Sequence, residues 1–342
     1  MMKLRDIRKL MVENKQLLEE VLIVSRSGKS FKLLSNNQSV LDELKVRLRN
    51  LIDPSITSLD ELQEIVIFEG EAPELPFSLR RWDQTQQESL RFRDFRKTRV
   101  ILDGSSGLFF LQNRKSCVVR GACSAHLDDI EKFVCQQFAN AFLLDGGVIC
   151  DATCIRIGDR ALAIAGPDWS GANNLIKAML ADPRAQLMTE HSMLLTGKPG
   201  LRALAQAADS WCITPSMDGE NKHKKAKKKN RAADKAHELS VTSTSEVPLT
   251  ALVMSTRTDG GEQDIELRRI NPLARPGLIN SLMVESSPFL QKTDGTFLSP
   301  GEGPEVRSYV QQLQNVACYE ARIDGSSSDV TQAGLALLGS AA

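Results

Sequence analysis

The chain has 342 residues, of which 42% are hydrophobic and 25% charged, enough for one large domain or two ordinary ones around a sizeable core, and too apolar for a disordered chain. Its 43 basic and 43 acidic side chains cancel, which excludes a protein that binds polyanions through its overall charge. No apolar run reaches the roughly 18 residues of a membrane-spanning helix, and the N-terminal segment alternates charges without a signal peptide's apolar stretch, so a cytoplasmic location without a membrane span is expected.

Leu4, Ile7, Leu10 and Met11 repeat at helical spacing and open a small α/β region over 1–62. Val24, Phe31, Leu33 and Leu34 predict a hairpin turning at Ser27-Gly28, and Ser39 is the expected N-cap of a helix carrying Leu41, Leu44, Val46 and Leu48. Strands are predicted at 65–68, 100–102 and 108–111, and the arginines between Arg80 and Arg99 read as a solvated edge. Leu127, Ile130, Val134, Phe138 and Ala141 define a helix over 125–145 that ends at Asp145-Gly146-Gly147. Strands follow at 148–157 and 161–165, then a glycine-bounded loop, a helix with Leu175, Ile176, Met179 and Leu180, and a strand at 186–189.

Residues 217–246 change composition. Lysines and one arginine from Lys222 to Lys235 crowd a stretch with almost no large apolar side chains, which reads as a disordered insertion in a surface loop; contact with nucleic acid or an anionic surface is the alternative use. From Pro248, two strands around Leu249–Val253 and Ile265–Ile270 predict a hairpin with its turn at Asp259-Gly260-Gly261. Helices near Leu278–Met283 and Val306–Val316, a strand at Cys318–Ile323 and a tail at 328–342 complete the chain. The seven cysteines lack zinc-knuckle spacing and read as reduced, buried, small apolar residues, so no metal site is assigned.

The segment with chemistry in its pattern is 161–180. A phosphate-binding loop follows a strand, opens a helix, and reads glycine, four residues, glycine, lysine, then serine or threonine. Gly166 and Gly171 have that spacing, but Ala172 and Asn173 stand where the cation and the metal-binding hydroxyl belong. Asp168 puts a carboxylate where backbone N–H groups should face an anion, Pro167 removes a donor, and Ser170 is the one hydroxyl between the glycines besides a tryptophan and an acid.

A series of short motifs runs in order along residues 30–325. Glu69 to Pro73 precedes Trp82; Gly107 to Gln112 follows; Gly121-Ala122-Cys123 opens the helix bearing Gln136-Gln137; Cys150-Asp151-Ala152 and Ala161 to Gly166 lead into the loop; Pro248-Leu249, Arg275-Pro276 and Pro288-Phe289 follow the insertion. This series resembles the bacterial HPr kinase-related kinases, group B. The resemblance implies an α/β chain of α+β character, with a P-loop kinase-like core of the HPr kinase/PEP carboxykinase type in 63–216 and 247–327 behind the small N-terminal region. The departures fall on the positions that carry the family's chemistry. Asp151 stands for the family's histidine, Ala172 and Asn173 for its lysine and serine, and Glu190-His191 for the strand that bears its catalytic aspartate. Lys198 and Arg202 are the nearest basic residues to its next motif.

The resemblance therefore implies a pseudokinase: no catalytic residue, no bound ATP or Mg²⁺, and a partner that is another protein. The alternative is an active nucleotide-dependent phosphotransferase, with Lys177 or Lys198 as the cation and Glu190 or Asp168 on a metal. A new acid–base pair of Asp151 and His191 is a further reading, for which no nucleophile is identified.

Overall fold

The computed structural model describes residues 4–12, 16–52, 62–82, 89–166, 172–189, 192–197, 204–207, 247–256, 266–284 and 286–322. Over these the chain is mixed α/β, with two sheets that each combine parallel and antiparallel pairs, and few helices. It divides into two compact units. Described residues up to Val148, with those of Val284–Glu305, form the first; described residues from Ile149 to Met283, with those from Val306 onward, form the second.

The first unit is an eight-stranded sheet, ordered β1(Leu22–Arg26), β2(Lys29–Ser35), β3(Gln63–Glu69), β8(Ser116–Gly121), β7(Phe109–Asn113), β6(Thr98–Asp103), β5(Leu90–Phe95), β4(Arg80–Arg81). The expected hairpin forms: Arg26 pairs Lys29, and Ser27 and Gly28 take φ of 48° and 76°, the double positive φ that a tight two-residue turn demands. The region 1–62 is not a separate layer. β2 pairs in parallel with β3, so the hairpin extends the same sheet, because an isolated pair of strands could not bury Phe31 and Leu33 alone.

Helix α1(Leu4–Val12) lays Ile7 and Met11 on one face of the sheet, against Val66, Val100, Leu111 and Val118. Helices α2(Gln38–Arg47) and α3(Leu127–Leu144) pack against each other and on β2, and Phe138 of α3 meets Phe31 edge-on at 4.7 Å. The cap of α2 is Asn37, not Ser39: the Asn37 side chain accepts the Ser39 N–H at 3.0 Å, so the asparagine, with its preorganised carbonyl oxygen, wins the cap position two residues earlier. Val46, expected on the apolar stripe of that helix, is 65% exposed. The described residues of the arginine-rich stretch contribute β4, β5 and the start of β6. In β5, Leu90 and Phe92 point inward and Arg91 outward, a period of two that charged residues near a sheet edge conceal.

Polar side chains are built into this unit's interior. Arg99 is fully buried; it donates to both carboxylate oxygens of Asp94 at 2.6 and 2.9 Å and to the carbonyls of Pro288 and Leu298 at 3.0 and 2.9 Å. Its guanidinium also stacks near Phe92, Phe297 and Trp82. Arg120 donates to the Leu10 carbonyl at 2.8 Å, at the C-terminal turn of α1 where a cation is favoured, and to the Glu71 carbonyl at 2.6 Å. Gln112 and Asn140 both donate to the Phe289 carbonyl at 2.9 Å. Gly121 has φ of 147°, and a Cβ there would come within 2.8 Å of the Leu108 side chain. Trp82, Gln112, Gly121 and Gln137, each part of the motif series, are thus internal supports of this sheet.

The second unit has strands β9(Val148–Asp151), β10(Thr153–Ile157), β11(Arg160–Ala165), β12(Ala185–Thr189), β13(Ser192–Thr196), β14(Leu204–Ala207), β15(Val247–Thr256), β16(Glu266–Ile270) and β17(Ala317–Arg322). The path runs β12-β10-β11-β15-β14-β13-β9, and β17 pairs both β15 and β16. The hairpin predicted after Pro248 does not form. β15 pairs in parallel with β11 and with β17, and β16 pairs antiparallel with β17, because β15 is buried nearly throughout and gains more from two central partners than from its chain neighbour. Helix α4(Ala172–Leu180) packs on β10, β11 and β12. Helices α5(Pro276–Leu282) and α6(Val306–Leu313) lie against each other, and Tyr309 of α6 donates its hydroxyl to the Ile149 carbonyl at 2.5 Å. The basic insertion 217–246, residues 257–265 with the expected turn, and the tail 328–342 lie outside the described residues.

Candidate functional site

The strand and the helix of the expected strand–loop–helix are present, and residues 167–171 between them lie outside the described residues. β11 ends at Ala165, Gly166 follows with φ of 149°, and α4 begins at Ala172. Helix α4 forms because Ala172, Leu175 and Met179 recur every three or four positions and sink into a cluster with Ile155, Leu162, Ile164, Leu187, Ala251 and Val253. The turn after it is closed by Asp182, which accepts from the Arg184 backbone and guanidinium; those bonds hold the carboxyl down at about 2.

Strand direction sets where the site segments meet. β11, β15 and β17 are parallel; β12 is antiparallel to β10, which is antiparallel to β11, so β12 runs the same way as they do. The carboxyl ends of all four strands therefore share one edge of the sheet, the usual place for a ligand in an open α/β sheet. At that edge β11 delivers Gly166. Thr153 pairs with Ile164, so Asp151 and Gly166 each lie two residues beyond that pair, toward the same edge. β12 ends at Thr189, which pairs with Cys154 and directly precedes Glu190 and His191. The register thus brings three separate sequence segments together: 150–153, the start of the loop, and the end of β12.

The side chains there have the following environments. Asp151 is exposed. Cys150 beside it is fully buried, and burial first and the Asp151 charge second push its thiol up. Thr189 is buried; its hydroxyl donates to the Ser192 carbonyl at 2.8 Å and accepts the Ser192 N–H at 3.3 Å, tying the two ends of 190–191 together. Ser255, near the end of β15, donates to the Ala165 carbonyl at 3.4 Å and is buried. Ser255 was not anticipated from sequence. Its place at the loop depends on a parallel pairing between segments about ninety residues apart, for which no local signal exists.

At the loop, Ala172 is 6% exposed and its methyl belongs to the apolar cluster, while Asn173 is exposed. Neither supplies a cation, and no acidic residue occupies the first turn of α4. Lys177 is exposed on α4, five residues along from Ala172, a rise of roughly 7.5 Å and more than a full turn. Asp168, Ser170 and Gly171 of the loop, Glu190 and His191, and Lys198 and Arg202 lie outside the described residues. Among the described residues no group of three or more His, Cys, Asp or Glu could hold a metal ion. The six described cysteines are buried. The described loop positions do not fit ATP and Mg²⁺: position 172 gives no ammonium and position 173 no hydroxyl. No protein-family model matches the sequence, and no curated protein matches it.

Proposed function

We propose that the chain is a pseudokinase: a P-loop kinase-like core of the HPr kinase/PEP carboxykinase type, similar to the HPr kinase-related kinases of group B, that has lost phosphoryl transfer and acts as a regulator or scaffold for another protein. The observation that carries this reading is position 172. In a working loop this residue sends an ammonium back over the phosphates; here it is a methyl group packed with Ile164 and Leu175 beneath the first turn of α4. A strand, a glycine and a helix follow one another in the order such a loop requires, and the ends of β12, β15 and β17 lie at the same edge, which supports the reading. Asp151, at the position of the family's histidine, is acidic and adds no positive charge at this edge.

The test is calorimetry with ATP–Mg²⁺ on the wild type and on the triple variant Asp168→Ser, Ala172→Lys, Asn173→Ser. The wild type is expected to give no binding heat up to millimolar nucleotide, and the triple variant to gain affinity without turnover. The double variant Asp168→Ser, Asn173→Ser keeps Ala172 in its core contacts and serves where the lysine prevents folding. Micromolar binding by the wild type, abolished by Lys177→Ala or Lys198→Ala, overturns the proposal in favour of an active phosphotransferase.

A further inference from the structure

A second polar cleft lies in the same unit, at the opposite ends of the strands that lead to the loop. Its walls are the first residue of β11, Arg160; the start of β15, Pro248 to Thr250; the start of β17, Ala317 and Tyr319; Arg269 of β16; and Gln314 and Asn315 from the turn before β17. It encloses about 320 Å³, in the range of a small-ligand site. Four strands build it. Arg269 is directly opposite Tyr319 in the β16–β17 ladder, so the guanidinium and the phenol project from one face of the sheet. Ala317, paired with Ala251, adds only a methyl group to the wall.

The chemistry of the lining selects a ligand class. Two guanidiniums and two carboxamides point to an acceptor-rich group, and among the described residues no carboxylate is part of the wall. Asp159 comes within 4.0 Å of Arg160, but it is 95% exposed, so water screens that pair. Planar guanidiniums bind tetrahedral oxyanions through paired N–H donors, and Tyr319, Leu249 and Pro248 offer an apolar wall beside them.

We propose that this cleft binds a small phosphate ester, with the phosphate between Arg160 and Arg269 and the organic part against Tyr319 and Leu249. The site is independent of the loop after β11 and does not rest on the pseudokinase reading. A free phosphate ion and an esterified phosphate share the anion chemistry; the apolar wall favours the ester.

Calorimetric titration with inorganic phosphate and with phenyl phosphate separates the two. Phenyl phosphate is expected to bind at least about tenfold more tightly than inorganic phosphate. Arg160→Gln and Arg269→Gln are each expected to weaken it by about tenfold or more, as loss of a charge-assisted hydrogen bond does. Arg307→Gln, an exposed arginine outside the cleft, is expected to leave binding unchanged. The proposal is overturned if neither probe binds at millimolar concentration, if inorganic phosphate binds as well as the ester, or if Arg307→Gln matches the cleft variants. It is equally overturned if binding survives both arginine changes and responds instead to Ala172→Lys, which would place the anion at the loop.

Discussion

The two units use charge differently. The first buries it: Arg99 and Arg120 sit inside the eight-stranded sheet and give their donors to main-chain carbonyls, so segments far apart in sequence, such as 288–298, are held by guanidinium forks. In the second, α4 and the sheet meet through Ile155, Leu162, Leu175, Met179 and Val253, the buried Glu320 of β17 pairs with Arg275, and polar groups stand at the two ends of its strands. A charge buried against backbone carbonyls cannot also serve a ligand. Polar groups at strand ends can, and both candidate sites are of that kind.

The sharpest break of this comparison is at Arg99. Arg99→Leu removes donors from two buried carbonyls and one carboxylate, and an expected loss of about 4 kcal/mol should show as a large drop in the urea midpoint. A change within experimental error would mean that the first unit does not depend on its internal charge. In the second unit the corresponding test is apolar. Met179→Ala leaves a cavity under α4 and is expected to cost about 3 kcal/mol, read by thermal unfolding, with no change in phenyl phosphate binding at the cleft.

Alkaline titration probes both cores. Burial pushes the thiols of Cys117, Cys123 and Cys318 up to about 12. Below the unfolded value of about 8.5 these groups are protonated in both states and stability does not depend on them. Between there and about 12 the unfolded chain releases protons that the folded chain keeps, so stability falls as pH rises, by about 1.4 kcal/mol per pH unit for each thiol. Denaturant melts at pH 8 and pH 10 should show this, and Cys117→Ala should flatten the slope. An unchanged slope would mean that Cys117 is accessible to water. The smallest effect is at the cap of α2: Asn37→Ala is expected to cost about 1 kcal/mol, whereas Ser39→Ala should cost less, which separates the observed cap from the one expected by sequence.

The strand β5 and the hairpin after Pro248 show where sequence reading stopped. In β5, Leu90 and Phe92 alternate with Arg91 and Arg93, but the arginines dominate the composition and the two-residue period was hidden. After Pro248 the two strands are each legible, yet their partners are not, because glycines at Gly260-Gly261 suit a hairpin turn while β15 satisfies its ladder with β11 and β17 instead. The loop site was half legible: Gly166 and the α4 periodicity are local, whereas Ser255 and the ends of β12 and β15 reach that edge only through register.

From the sequence alone followed the local elements: the hairpin at Ser27-Gly28, the long helix α3, and the strand, glycine and helix around Gly166, together with the absence of a cation at Ala172. These depend on side-chain period and turn chemistry within a few residues, which any short segment carries with it. The tertiary structure alone decided that β2 joins β3, that β16 takes β17 as its partner, that Asp151, Gly166 and Thr189 share one edge, and that Arg160, Thr250 and Arg269 form a cleft at the other. Those placements depend on hydrogen-bond ladders closed between distant segments, where the gain comes from burying whole strand faces and no single stretch of chain contains the information.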